Sequence, residues 1–108
     1  MRVFLDDERI APPGWVHVRW PEDVVSLLEG GEVEELSLDH DLGDDNHGTG
    51  YDVIIWIEEA VALKGFEPPE SIKVHSANVS AKLKMESGIR SIQQLLASRR
   101  SDSSSPSS

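Results

Sequence analysis

A chain of 108 residues, 38% hydrophobic and 28% charged, has the size and balance of one globular domain and is too mixed for collagen-like, disordered or membrane classes. Twenty acidic residues against ten basic ones leave a formal charge of −10, which opposes non-specific binding to DNA or any other polyanion. No cysteine is present, so disulfides and thiolate metal sites are excluded, and any metal must be held by oxygen or imidazole.

In chain order, Val3-Phe4-Leu5 is a short apolar run halted by Asp6-Asp7-Glu8-Arg9, the pattern of a buried strand emerging among charges. Ala11-Pro12-Pro13-Gly14 breaks the chain, and Trp15 to Trp20 reads as a second strand. Pro21-Glu22-Asp23 makes a favourable first helical turn, Val24, Val25, Leu27 and Leu28 give that helix an apolar side, and Gly30-Gly31 stops it. Leu36-Ser37-Leu38 is a third strand. A hydrophilic loop follows from Asp39 to Gly50, in which Gly43, Gly48 and Gly50 are read as points of backbone freedom. Asp52 caps or begins a helix carrying Val53, Ile54, Ile57, Ala60 and Val61, closed by Lys64-Gly65. Ile72 to His75 is a fourth strand, and Ser76-Ala77-Asn78 leads to a last helix carrying Leu83, Ile89, Ile92 and Leu96, weakened locally by Gly88. From Arg99 to Ser108 nothing apolar remains to bury, so a domain over 1–98 and a disordered serine-rich tail over 99–108 are expected.

Strands alternating with helices imply an α/β fold with about four parallel strands and helices on both faces, a small three-layer arrangement. The longest apolar stretch, near Val53 to Leu63, is interrupted by Glu58 and Glu59, and the N-terminus lacks a signal-peptide layout. A cytoplasmic protein with no membrane partner is the expectation. Oligomeric state stays open.

Parallel strands align their carboxyl ends along one edge, where ligands of such sheets bind. Asp6 and Asp7 close the first strand, Asp39, His40 and Asp41 the third, and His75 with Ser76 the fourth. Carboxylates gathered in this way repel one another unless a proton or a cation intervenes, so a divalent metal ion is the natural guest, Mg²⁺ or Mn²⁺ first. The histidines also admit Zn²⁺ or Fe²⁺. His40, flanked by two aspartates, is suited to handle a proton; a partly exposed loop histidine is the plainer alternative, and His75 is open between a structural and a catalytic role. His17 and His47 read as structural or solvent-facing, Asp44-Asp45-Asn46 as a polar turn, and Trp15 as either packing or a stacking surface. The glycine-bearing loop is not a P-loop, for it lacks the Gly-Lys-Ser/Thr ending.

Taken together, Val3-Phe4-Leu5-Asp6-Asp7-Glu8-Arg9, Leu36 to Gly43, Gly48-Thr49-Gly50-Tyr51-Asp52 and Val74-His75-Ser76-Ala77-Asn78 resemble the cyclic-phosphate processing receivers, a divergent branch of the response-regulator receiver fold. The resemblance implies a receiver-like (flavodoxin-like) domain, truncated relative to ordinary receivers, that acts on a cyclic phosphate in a nucleotide or at an RNA end. On that likeness Asp6, Asp7, Asp39 and Asp41 are metal ligands and Asp39, His40 and His75 are catalytic. Ser76, Asn78, Thr49 and Arg9 contact phosphate. Two departures from ordinary receivers stand out: no fifth strand supplies a lysine, and Glu8 to Gly14 is too short and proline-rich for the usual first helix. Three functions remain in competition: a metal-dependent phosphoesterase opening the cyclic phosphate, a module that binds or sequesters the nucleotide, and a degenerate receiver acting by protein contacts.

Overall fold

A computed structural model of the chain describes residues 1–43, 46 and 48–104. Among the described residues seven elements follow one another: β1 (Arg2–Leu5), β2 (Val16–Val18), α1 (Pro21–Glu29), β3 (Glu35–Leu38), α2 (Gly50–Lys64), β4 (Ser71–Val74) and α3 (Val79–Ser104). The strands form one sheet in the order β2-β1-β3-β4, all parallel. The α/β class, the strand count and the parallel sheet are as expected.

Register explains the rest. Val3 lies beside Leu36 and Leu36 beside Ile72; one step on, Leu5, Leu38 and Val74 share a row. Side chains alternate along a strand, so these rows project to one face. There they meet Val24 and Leu28 of α1, Val53, Ile54, Ile57 and Val61 of α2, and Met85 and Ile92 of α3 in a single buried cluster. Each large apolar side chain removed from water in this way contributes about 1.5–3 kcal/mol before entropy is counted. The crossovers from β2 to β3 and from β3 to β4 run in the same direction, and a right-handed connection then places α1 and α2 on the same side. Helix α3 packs along α2 and joins them.

The expected helix cover on both faces is therefore realised on one face only, among the described residues. The physical cause lies in the connections: Glu8 to Gly14 links β1 to β2 without a helix, and each of the three helices among the described residues packs into the same core cluster. On the uncovered face Phe4 is still buried, because Trp15 and His17 meet its ring edge-on and His75 lies flat upon it.

Helix starts follow local chemistry. Pro21 opens α1 with Glu22 and Asp23 in its first turn. Thr49 caps α2, accepting from the backbone of that helix while Asp52 Oδ2 accepts from the Thr49 N–H, so Asp52 is the third helical residue and completes a capping box. Gly65 ends α2 at φ 67°, a left-handed conformation that glycine adopts without strain. Two other glycines are there for space. A Cβ on Gly50 would lie 1.9 Å from the Asp39 carbonyl oxygen, and one on Gly88 would lie 2.6 Å from Ile54 Cγ2, so Gly50 admits α2 against the end of β3 and Gly88 admits α3 against α2. The freedom expected of the loop glycines holds for Gly43 and Gly48, with φ 83° and 106°, and not for Gly50.

The second strand is shorter than Trp15 to Trp20, and α3 runs past the expected boundary at residue 98. The tail expected from Arg99 is helical as far as Ser104, because adding residues to a formed helix costs far less than starting one. Arg99 also ties this end to the Phe66 carbonyl and to Glu67. Residues 105–108 lie outside the described residues. Among the described residues no helix is long and apolar enough to cross a membrane.

Candidate functional site

The backbone continues its register one step beyond the strands: Asp39 N–H donates to the Leu5 carbonyl and His75 N–H to the Leu38 carbonyl. Asp6, Asp39 and His75 therefore form the next row, two residues after Phe4, Ser37 and Lys73, on the uncovered face. Alternation brings the three together without any loop rearrangement. One carboxylate oxygen from each aspartate and one ring nitrogen of His75 lie within 4.8 Å of one another.

Asp6 is the anchor. Its side chain is 1% exposed. Oδ1 accepts the backbone N–H groups of Glu8 and Arg9 at 2.8 and 2.9 Å, and Oδ2 faces His75 Nε2 at 3.0 Å. Burial opposes its ionisation, but the Arg9 and Glu8 N–H donors and then His75 outweigh it, and its pKa lies below the usual carboxylate value. For Asp39 the balance goes the other way. Burial raises its pKa, the His40 N–H donated to Oδ1 at 2.8 Å opposes that, and the Asp6 charge adds to the rise. Two aspartates in one row thus have opposite proton affinities.

His75 is fixed on three sides. Nδ1 lies 2.7 Å from Ser37 Oγ, Nε2 faces Asp6, and the Phe4 ring is parallel to it within 5° at 4.4 Å between centroids. Arg9 reaches across the strand ends, donating from Nη1 to the His75 carbonyl at 2.9 Å with Nε 4.0 Å from Asp6 Oδ2. A cavity of about 260 Å³ opens over this row, lined by Asp6, Asp7, Glu8, Arg9, Asp39 and Asp41 with Gly43 and Ala77.

A family model described as "Cyclic-phosphate processing Receiver domain" matches residues 1–91. The chain belongs to that family. No curated protein and no solved structure matches it.

Against that family's motifs, the receiver brings together some of the expected residues and separates others. Asp6, Asp39 and His75 meet, and Arg9, Asp7 and Asp41 line the same cavity. Asp7 and Asp41 are not among the three clustered donors. The His40 ring does not join the cluster: its Nδ1 pairs at 2.8 Å with Oδ1 of Asp41, which lines the cavity. Three residues expected at phosphate have local occupations. Thr49 caps α2, Ser76 Oγ accepts the Asn78 N–H at 3.1 Å, and Asn78 Oδ1 accepts the Ala81 N–H at 3.1 Å at the start of α3. Asp44, Asp45 and His47 lie outside the described residues. His17 meets the Asp6 carbonyl through Nε2 at 2.7 Å.

Ser37 and Phe4 are the site residues that reading the sequence missed. The signal was available: each stands two residues before a charged strand-end residue, which is the period that returns a side chain to the same face.

Proposed function

We propose that this receiver hydrolyses a cyclic phosphate, holding a divalent cation with Asp6, Asp39 and His75 while the phosphate lies in the adjoining cavity. The observation that carries the reading is the convergence of two carboxylate oxygens and an imidazole nitrogen within 4.8 Å beside an arginine. Carboxylate and imidazole donors suit Mn²⁺ and Mg²⁺. Such an ion, when bound, supplies charge stabilisation at phosphorus and lowers the pKa of a water.

The protein's own groups do the remainder. Arg9 stands at the cavity with a guanidinium that matches phosphate oxygens. In ring opening, water oxygen bonds to phosphorus as one ring P–O bond breaks, and the freed alkoxide oxygen takes up a proton; the product is a phosphate monoester with a neighbouring hydroxyl. The His40–Asp41 pair beside the cavity is the candidate for that proton exchange, and His75 passes from the catalytic role expected of it to that of a ligand. Localised general acid–base help of this kind is worth about 10²–10⁴ in rate.

The second reading, sequestration without turnover, is favoured by the placement of His40, whose ring pairs with Asp41 and is not among the clustered donors. Incubation with 2′,3′-cyclic nucleotides, 3′,5′-cyclic nucleotides, cyclic dinucleotides and an RNA bearing a 2′,3′-cyclic end, with and without Mn²⁺ or Mg²⁺, separates the two. Chromatography is expected to show a ring-opened monoester that Asp39→Asn no longer forms. Recovery of intact ligand from a tight complex supports sequestration, and neither binding nor turnover across the panel removes both readings.

A further inference from the structure

His75 has two ring nitrogens with two different partners, and the partners are not interchangeable. A neutral imidazole carries one N–H and one lone pair. The Asp6 carboxylate can only accept, so in the neutral ring the hydrogen belongs on Nε2, 3.0 Å from Oδ2, and Nδ1, 2.7 Å from the Ser37 hydroxyl, accepts from it. A cation shared with Asp6 and Asp39 needs the opposite arrangement, because Nδ1 is already taken up by Ser37 and only Nε2 faces the aspartates. Its lone pair must then point at the ion and the ring hydrogen must stand on Nδ1. A partner at Nδ1 that only donates cannot follow this change. A hydroxyl can, since it both donates and accepts.

We propose that Ser37 is a positioning residue of the site, whose hydroxyl turns from donor to acceptor when a divalent cation binds and so keeps His75 Nε2 directed at Asp6 and Asp39. The proton balance closes: Nε2 gives one proton to solvent, Nδ1 takes one from solvent, and the serine hydrogen stays on its oxygen and rotates. Phe4 complements the serine by holding the ring plane, at 5° and 4.4 Å, while Ser37 sets the rotation within that plane. Ligand histidines commonly need such a partner, and losing it costs about 10–100-fold in metal affinity. This inference rests on the cation reading of the site, and the experiment separates the two.

Mn²⁺ binding is measured by electron paramagnetic resonance on wild type, Ser37→Ala and Ser37→Thr, and the His75 tautomer is read from long-range ¹H–¹⁵N spectra with and without Mg²⁺, assigned with His75→Ala. The expected result is a 10–100-fold weaker Mn²⁺ affinity in Ser37→Ala, recovery in Ser37→Thr, and a ring hydrogen that moves from Nε2 to Nδ1 when Mg²⁺ saturates wild type. If wild type binds Mn²⁺ and Ser37→Ala binds it equally, or if Nε2 keeps its hydrogen in saturating Mg²⁺, the role of Ser37 is overturned while the cation site stands. If wild type binds neither ion, the cation reading itself fails and takes this inference with it. Should Ser37→Ala not fold, the wild-type tautomer decides alone.

Discussion

At the scale of single residues, Asp6 and Asp39 pull stability in opposite directions as pH changes. The Asp6 pKa is lowered on folding, so its contribution is fully present above the ordinary carboxylate pKa of about 4 and is lost as pH falls through the lower folded value. Asp39 is raised, so its ionised form costs stability above the folded value, and that cost is relieved as pH falls through it. Without divalent cations, Asp39→Asn is therefore expected to melt higher than wild type at pH 7, with the gain shrinking towards pH 4. Asp6→Ala is expected to lose about 1–3 kcal/mol, because the Glu8 and Arg9 N–H groups lose a charged acceptor. Denaturant melts at several pH values check both, and an Asp39→Asn protein less stable than wild type at pH 7 contradicts the assignment. The meeting of Asp6, Asp39 and His75 was legible beforehand because parallel strands end on a common edge, whereas Asp7 and Asp41 line the cavity outside that cluster. Thr49 and Asn78 also serve as helix caps, a use that short polar residues before a helix commonly have, and Thr49 with Asp52 three residues later already carried that pattern.

At the scale of elements, the geometry of the site depends on how closely α2 approaches β3. Gly50 has no room for a methyl group, since the obstructing atom is a backbone oxygen 1.9 Å away, whereas the atom facing Gly88 is the Cγ2 methyl of Ile54 at 2.6 Å. Gly50→Ala is expected to cost about 1–3 kcal/mol through overpacking and to displace Asp39, with weaker cation binding as the second sign. Gly88→Ala is expected to cost less, because the obstructing atom is a side-chain methyl and not backbone, and alanine recovers up to about 1 kcal/mol of helix propensity. Thermal melts of both variants test the ranking; equal losses contradict it. Element types and order could be read from Pro21, Gly65 and the apolar periods, because caps and alternation act locally. Layering could not. The helix-free link from Glu8 to Gly14 could be read, but which face the other helices cover depends on the direction of their crossovers, and that is set by strand order, which no local pattern encodes.

At the scale of the whole molecule, a charge of −10 gives two different reasons for a divalent cation to stabilise the protein, and they must be told apart. The first is general screening of self-repulsion, which any salt supplies and which follows ionic strength. The second is occupation of the proposed site at Asp6, Asp39 and His75. Site binding adds about 2.7 kcal/mol when free cation exceeds its dissociation constant a hundredfold, and for a domain of this size that is roughly 10 °C of melting temperature. Screening has no saturation point at such low concentrations and no preference among residues. Melting temperature is accordingly expected to rise and level off with millimolar MnCl₂, to rise little in KCl of matched ionic strength, and to lose the Mn²⁺ response in Asp6→Asn/Asp39→Asn. His75→Ala, which removes the nitrogen donor and leaves both carboxylates, is expected to keep a weaker response. A KCl curve that matches MnCl₂, or a double variant that still responds fully, assigns the effect to bulk charge and leaves the clustered donors without an ion.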